Sequence, residues 1–307
     1  MFTKIFKRFS IQAILMSFFL SLCANIFNLY WRAGADFYNK IFYHGLILTF
    51  NVLLFIFVIY LSDSKRLNLN FGASHLLSFP LCILLIYQGD GYNLNAQKII
   101  LALSLLLAAN IFSKEFSERF KERDLFNLGV FFTIVSYINI YLSLFFISIF
   151  FLLPRIIEKR KAIISLVIGV ISTISILITI NYYKTGQIFY VQPDLLNKNF
   201  TYKNAKEFSE FVWVFTVIIL FILSIAKKNK RITGERSNNE KRFMLLWLLI
   251  SFIFRFYGLY QDSTLWLLSF IPSAYLLGNL FEALQKEIYR EGLFYILLLL
   301  GIMSKFV

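Results

Sequence analysis

Six polar side chains stand where a mostly apolar chain of 307 residues gives way to short polar segments: Asp36, His44, Asp90, Asp194, Arg255 and Asp262. Asp36 is the sharpest. It is the only carboxylate in segment 31–44, it lies among aromatic residues, and Arg32 is four positions earlier. A carboxylate so placed can act as a general base toward an acceptor hydroxyl; the plainer alternative is a solvated acid paired with Arg32. Arg255 interrupts an apolar run, where a charge costs about 3 kcal/mol at mid-membrane. Within a turn of the boundary its long side chain reaches the interface at a smaller cost. There it can hold the phosphate of a lipid carrier through paired hydrogen bonds, with Arg32 as a second candidate. His44, Asp90, Asp194 and Asp262 are further candidates for contacts to donor or acceptor. Asp90, flanked by Gly89 and Gly91, also reads as a tight turn, and Asp262 has the same look. His75 reads as a satisfied polar group near a helix end. Two histidines so far apart make no metal motif, and with no phosphate loop, dinucleotide fingerprint or nucleophile elbow, no cofactor or metal is expected.

The elements that must position these groups are membrane helices. At 59% hydrophobic residues and a mean hydropathy of +0.69, the sequence is too apolar for a soluble domain and predicts an all-α, polytopic transmembrane bundle. The net charge of +14 would suit nucleic acid if the basic residues formed one face. They cluster instead in short segments between apolar runs, which is the mark of topology, and no nucleic-acid partner is expected. Cys23 and Cys82 lie inside apolar runs, so neither a disulfide nor a metal site is supported. Lys4, Lys7 and Arg8 place the N-terminus in the cytoplasm, before an uncleaved first helix over 11–30.

One stretch decides the topology. Residues 125–154 are apolar, with Lys114, Arg119, Lys121 and Arg123 before them and Arg155, Lys159, Arg160 and Lys161 after. As a single helix the stretch would measure about 45 Å, too long for a core of about 30 Å without extreme tilt. A single crossing would also carry one basic flank to the wrong side. A hairpin of two short helices satisfies both constraints, with its break near Ser136, Tyr137, Ile138 and Asn139, whose polar atoms can meet backbone groups freed by the turn. The remaining passes are expected at about 45–61, 72–87, 97–112, 162–182, 211–225, 243–259 and 265–283, with a last helix ending near Lys305. That makes about eleven helices in a single membrane domain over 1–307. Segment 31–44 repeats apolar residues at helical spacing, as expected of a surface helix. Pro80 should kink its helix.

At this hairpin the chain resembles the GT-C superfamily of integral-membrane glycosyltransferases. The matching residues are Asn127-Leu128-Gly129, Asn139-Ile140-Tyr141, Leu153-Pro154-Arg155 and Asn181-Tyr182-Tyr183-Lys184-Thr185-Gly186. They follow a pattern of a glycine-containing short helix, a polar break, a second short helix ending in Pro and Arg, and an outward helix closing on aromatic residues and Gly. The position of Asp36 after the first helix also looks like theirs. The resemblance implies a GT-C-like core over about 11–186, additional helices over about 211–307, and transfer of a sugar from a polyprenyl-phosphate carrier to an acceptor on the outer face. Where such enzymes often carry a basic residue at the break, this chain has Tyr137 and Ile138, and no second acid adjoins Asp36. Across most of its length, including Asn93-Leu94-Asn95-Ala96-Gln97, the chain is also similar to a family of polytopic inner-membrane proteins of Bacteroidetes, which implies a multi-pass location in a bacterial inner membrane. Two other functions fit the sequence: a non-catalytic scaffold that binds a protein partner of the cell envelope, and a small-molecule transporter. The transporter would need ionisable groups along a path through the membrane.

Overall fold

The computed structural model describes residues 2–7, 10–33, 73–85, 96–112, 121–152, 156, 158–186, 216, 219, 236–256, 264–284 and 286–303. Every regular element among them is a helix, and no strand is found among the described residues. The elements are η1 (Phe2–Lys7), α1 (Ile11–Ala33), α2 (Ala73–Leu85), α3 (Ala96–Phe112), α4 (Glu122–Ile138), η2 (Ile140–Phe151), α5 (Lys159–Thr185), α6 (Arg236–Phe256), α7 (Thr264–Ala283) and α8 (Glu287–Met303), where η marks a 3₁₀ helix. The chain divides into two compact units interleaved in sequence, one holding η1, α1, α2, α7 and α8, the other α3 to α6 with η2.

The first unit is built around α2, whose residues Ser74 to Leu85 are all buried and which packs against η1, α1, α7 and α8. Alpha-helical spacing sorts α1 into two faces. Ala13, Ser17, Ser21, Ala24 and Asn28 are buried, whereas Ile11, Leu15, Phe19, Ile26 and Tyr30 are exposed. Small and polar residues face inward and large apolar ones face out, the reverse of a helix on a water-soluble core and the arrangement that lets membrane helices approach closely. The buried polar groups have specific work. Pro80 lies inside α2 and has no N–H to give the carbonyl four residues back; that carbonyl, on Leu76, accepts from the Ser17 hydroxyl at 2.6 Å. Ile83, in the last turn of α2, has a carbonyl without a helical partner of the usual kind, and it accepts from Asn28 Nδ2 at 2.8 Å.

These pairs also fix direction. Ser17 meets Leu76 and Asn28 meets Ile83, so α1 and α2 run parallel. Along α7 the order reverses, with His75 beside Glu282, Ser78 beside Ala274, and the Phe79 and Phe270 rings 5.6 Å apart. At the His75 end η1 closes the unit, burying Phe6 and pairing Lys4 with Glu287 at 3.9 Å and Thr3 with Glu291 at 3.4 Å.

The second unit holds the 125–154 stretch. The chain breaks at Asn139, one of the four residues where a break is expected, whose backbone is extended (φ −151°, ψ 121°). Asn139 caps both helices. Its N–H donates to Val135 O at 3.2 Å to end α4, and its side-chain oxygen accepts from the Tyr141 N–H at 2.9 Å to start η2. Beyond it the chain folds back, with the Phe132 ring 6.1 Å from Phe145 and 5.5 Å from Phe146. In a continuous α-helix residues so separated would lie about 20 Å apart. Helix α5 then returns alongside α4 in the same direction, Glu122 O accepting from Ser165 Oγ at 3.0 Å and Phe126 lying against Gly169. A Cβ on Gly129 would stand 2.6 Å from Leu166 O, and one on Gly169 would overlap Phe126 O, so glycine at both positions sets the separation of the two helices. Phe112, Phe132, Phe145, Phe243 and Trp247 fill the core and are fully buried, with Phe112 stacked on Phe243 at 4.4 Å.

Element η2 is 12 residues long, whereas most 3₁₀ runs stop after about three or four. Its three-residue repeat shows in the burial: Leu142, Phe145 and Ser148 point inward, and Leu144, Ile147 and Phe150 outward. At about 2.0 Å per residue it reaches about 24 Å, against about 18 Å for an α-helix of the same residues.

Among the described residues two helices are long and apolar enough to cross a membrane, α1 over Ile11–Asn28 and α5 over Lys159–Thr185. Shorter apolar helices are Ser74–Leu85, Leu103–Phe112 and Ile140–Phe151. Residues 31–33 of the expected surface helix continue α1; its remainder, 34–44, and the pass at 45–61 fall outside the described residues, as does nearly all of the pass at 211–225.

Candidate functional site

Of the residues singled out for chemistry, Asp36, His44, Asp90, Asp194 and Asp262 lie outside the described residues. Arg32 falls in the last turn of α1 and Arg255 in the last turn of α6; the placement of their side chains lies outside the described residues as well. The described structure therefore brings none of these groups together.

What it does assemble is a polar cluster at the η1 end of the first unit. His75, in the first turn of α2, is completely buried. Its Nδ1 is 3.7 Å from Glu282 Oε1 on α7, whose side chain is one-third exposed. That separation suits an ion pair once the imidazole is protonated and is too long for a hydrogen bond. The ring reaches the carboxylate because α7 has no side chain where the two helices cross: a Cβ on Gly278 would overlap the His75 ring. Tyr275 covers the imidazole at 5.6 Å between centroids. Just beyond, the Ser78 hydroxyl is 2.7 Å from both His75 O and Ala274 O, donating to one of them at a time. On the far side of Glu282, Arg290 lies within electrostatic reach and donates from Nη2 to Leu284 O at 3.2 Å, closing the C-terminus of α7.

A buried imidazole facing a partly exposed carboxylate can take up and release a proton, with the carboxylate compensating the charge that appears. It can equally serve only to fix the register of α2 on α7. No cluster of three or more His, Cys, Asp or Glu that could hold a metal ion occurs among the described residues.

Sequence reading treats His75 as an isolated polar group because its partner lies on a helix distant in sequence, and no local period links the two. The buried face of α1 is different. Ala13, Ser17, Ser21, Ala24 and Asn28 recur every three or four positions, and that small-residue period was legible in the sequence. The chain matches no family model, no curated protein and no solved structure.

Proposed function

We propose that this chain is a multi-pass protein of a bacterial inner membrane, with its N-terminus in the cytoplasm, that transfers a sugar from a polyprenyl-phosphate carrier to an acceptor at the outer face. The observation that carries this is the path of the chain through 122–186. A glycine-containing helix, a reversal at Asn139, a short apolar return and a long helix closing on Tyr182, Tyr183 and Gly186 follow one another in the order the GT-C resemblance implies.

The multi-pass topology draws support from helix direction. Parallel α1 and α2, antiparallel α2 and α7, and parallel α4 and α5 are the relations that the expected order of about eleven helices, two of them short and paired in the hairpin, requires. Helix α5 adds a second line. It is 27 residues long, about 40 Å, and only Ala162, Gly169, Thr173 and Asn181 along it are buried, whereas a core helix of a water-soluble protein would be mostly covered. Lys159, Arg160 and Lys161 stand at one end and Tyr182 and Tyr183 at the other, as at the two faces of a bilayer.

In this function Asp36 is the base that takes the acceptor proton, Arg32 and Arg255 hold the carrier phosphate, and His44, Asp90, Asp194 and Asp262 contact donor or acceptor. The test is transfer of a radiolabelled sugar from a polyprenyl-phosphate donor by the full chain in lipid vesicles. Loss of a general base lowers the rate by about a hundredfold or more, so Asp36→Asn should do so while the protein stays monodisperse. Undiminished transfer by Asp36→Asn removes the assigned base, and absence of transfer by the unaltered chain across donor sugars removes the activity.

A proton-coupled transporter is favoured by one observation, the buried His75 beside the partly exposed Glu282 between helices. Vesicles holding a pH-sensitive dye should then show proton uptake that Glu282→Gln abolishes. No uptake by the unaltered chain excludes it.

A further inference from the structure

The fold-back at Asn139 has a consequence at the opposite end of the second unit, where the two basic flanks of the hairpin converge. Lys121 and Arg123 are exposed at the start of α4, and Lys159, Arg160 and Lys161 are exposed at the start of α5. They belong to one surface because Glu122, between the first two, accepts from Ser165 through its backbone carbonyl and lies within electrostatic reach of Lys161. Among the described residues the acids there do not balance them. Asp124 is buried and turned back to accept from the Lys121 N–H at 3.0 Å, and Glu158 is engaged by Lys161. Glu122 is then the one carboxylate left facing Lys121, Arg123, Lys159 and Arg160 among the described residues of this surface.

On the face of α5 opposite Ala162, Gly169 and Thr173, which are buried toward α4, an apolar stripe begins at Arg160. Arg160, Ile164, Val167 and Ile171 recur at the four-three-four spacing that keeps side chains on one helical face, and the three aliphatic residues are exposed. From Arg160 to Ile171 is about 16 Å along the axis, close to the depth of one leaflet of a core about 30 Å thick.

We propose that the basic start of α5 and the stripe above it form a binding site for an anionic phospholipid of the leaflet on that side, its headgroup phosphate held by Arg160 and Lys159, and one acyl chain lying along Ile164, Val167 and Ile171. This rests on α5 crossing the membrane. The charge excess selects an anionic headgroup over a zwitterionic one, and the adjoining apolar stripe selects a lipid over a free anion.

The full chain, purified in detergent, is offered equal amounts of phosphatidylglycerol and phosphatidylcholine, and the retained lipid is counted by native mass spectrometry. The unaltered chain should retain phosphatidylglycerol preferentially. The double variant Lys159→Gln/Arg160→Gln should lose that preference by about tenfold, whereas Lys184→Gln, at the other end of α5, should leave it unchanged. Helical circular dichroism of each variant confirms its fold. Equal retention by the double variant overturns the proposal, as does displacement of the lipid by inorganic phosphate at a few millimolar, which would mark a phosphate site. Carbonate extraction of the unaltered chain separates the two layers of inference. Release from membranes would sink the membrane-spanning assignment itself, while firm retention without a phosphatidylglycerol preference sinks only the lipid site.

Discussion

At the scale of single residues, the first unit is held by hydroxyl and amide groups that complete the backbone of a neighbouring helix. Ser17 shows the principle most sharply, because the defect it repairs has a definite source. Pro80 deprives the Leu76 carbonyl of its donor and Ser17 supplies another. A buried acceptor left unsatisfied costs about 1–3 kcal/mol, with values nearer 1 kcal/mol in membrane interiors. Ser17→Ala should therefore lower the thermal unfolding midpoint of the chain in detergent. In a Pro80→Ala background residue 80 donates its own N–H to Leu76, so the same substitution should cost little. The double-mutant cycle isolates that difference; equal losses in both backgrounds would show that Ser17 acts by packing alone. Pro80 announces itself in the sequence, but its partner does not. A serine in an apolar helix has many possible uses, and only the parallel course of α1 beside α2 selects this one.

At the scale of elements, the position of the break in 125–154 was legible and the form of the second helix was not. The break could be placed because Ser136, Tyr137, Ile138 and Asn139 interrupt an apolar run too long for one crossing, and Asn139 has the side chain to cap the helix that follows. The run Ile140–Phe151 is apolar on nearly every side, so it carries no period that separates three residues per turn from 3.6. Its 3₁₀ form comes from packing, with Leu142, Phe145 and Ser148 aligned toward the core. The contact of α4 with α5 is stricter. Gly169 meets the Phe126 backbone where no side chain fits, and backbone cannot rotate aside as a side chain can. Gly169→Val should destabilise the second unit by at least the 1–3 kcal/mol typical of overpacking, read as a lower unfolding midpoint. Gly292→Ala, on α8 where a Cβ meets nothing within 4 Å, should leave the midpoint close to that of the unaltered chain. A Gly169→Val protein as stable as the Gly292→Ala control would mean that α4 and α5 do not cross at this glycine.

At the scale of the whole molecule, each of the two units keeps charged side chains apart from exposed apolar ones, as the proposed membrane location requires. In the first unit the ionisable side chains Lys4, Glu282, Glu287, Arg290 and Glu291 gather at one end, while α1 and α8 turn Leu15, Phe19, Ile296 and Leu299 outward. In the second, the basic foot of α4 and α5 is separated from Tyr182, Tyr183 and Lys184 by the full length of α5. Composition foretold this apolar exterior. It could not foretell which polar groups would meet across the helices, because His75 and Glu282 are joined only by the antiparallel course of α2 and α7. The proposed topology assigns residues to compartments. With Cys23 and Cys82 replaced by serine, single cysteines at positions 121 and 159 should react with an impermeant maleimide only after the cells are opened, and a cysteine at 184 should react in intact spheroplasts. Because the chain reverses at Asn139 and reverses again before α5, positions 121 and 159 must behave alike. Labelling of one from outside and the other from inside would be incompatible with the path through Asn139, and with every assignment of inner and outer residues that depends on it.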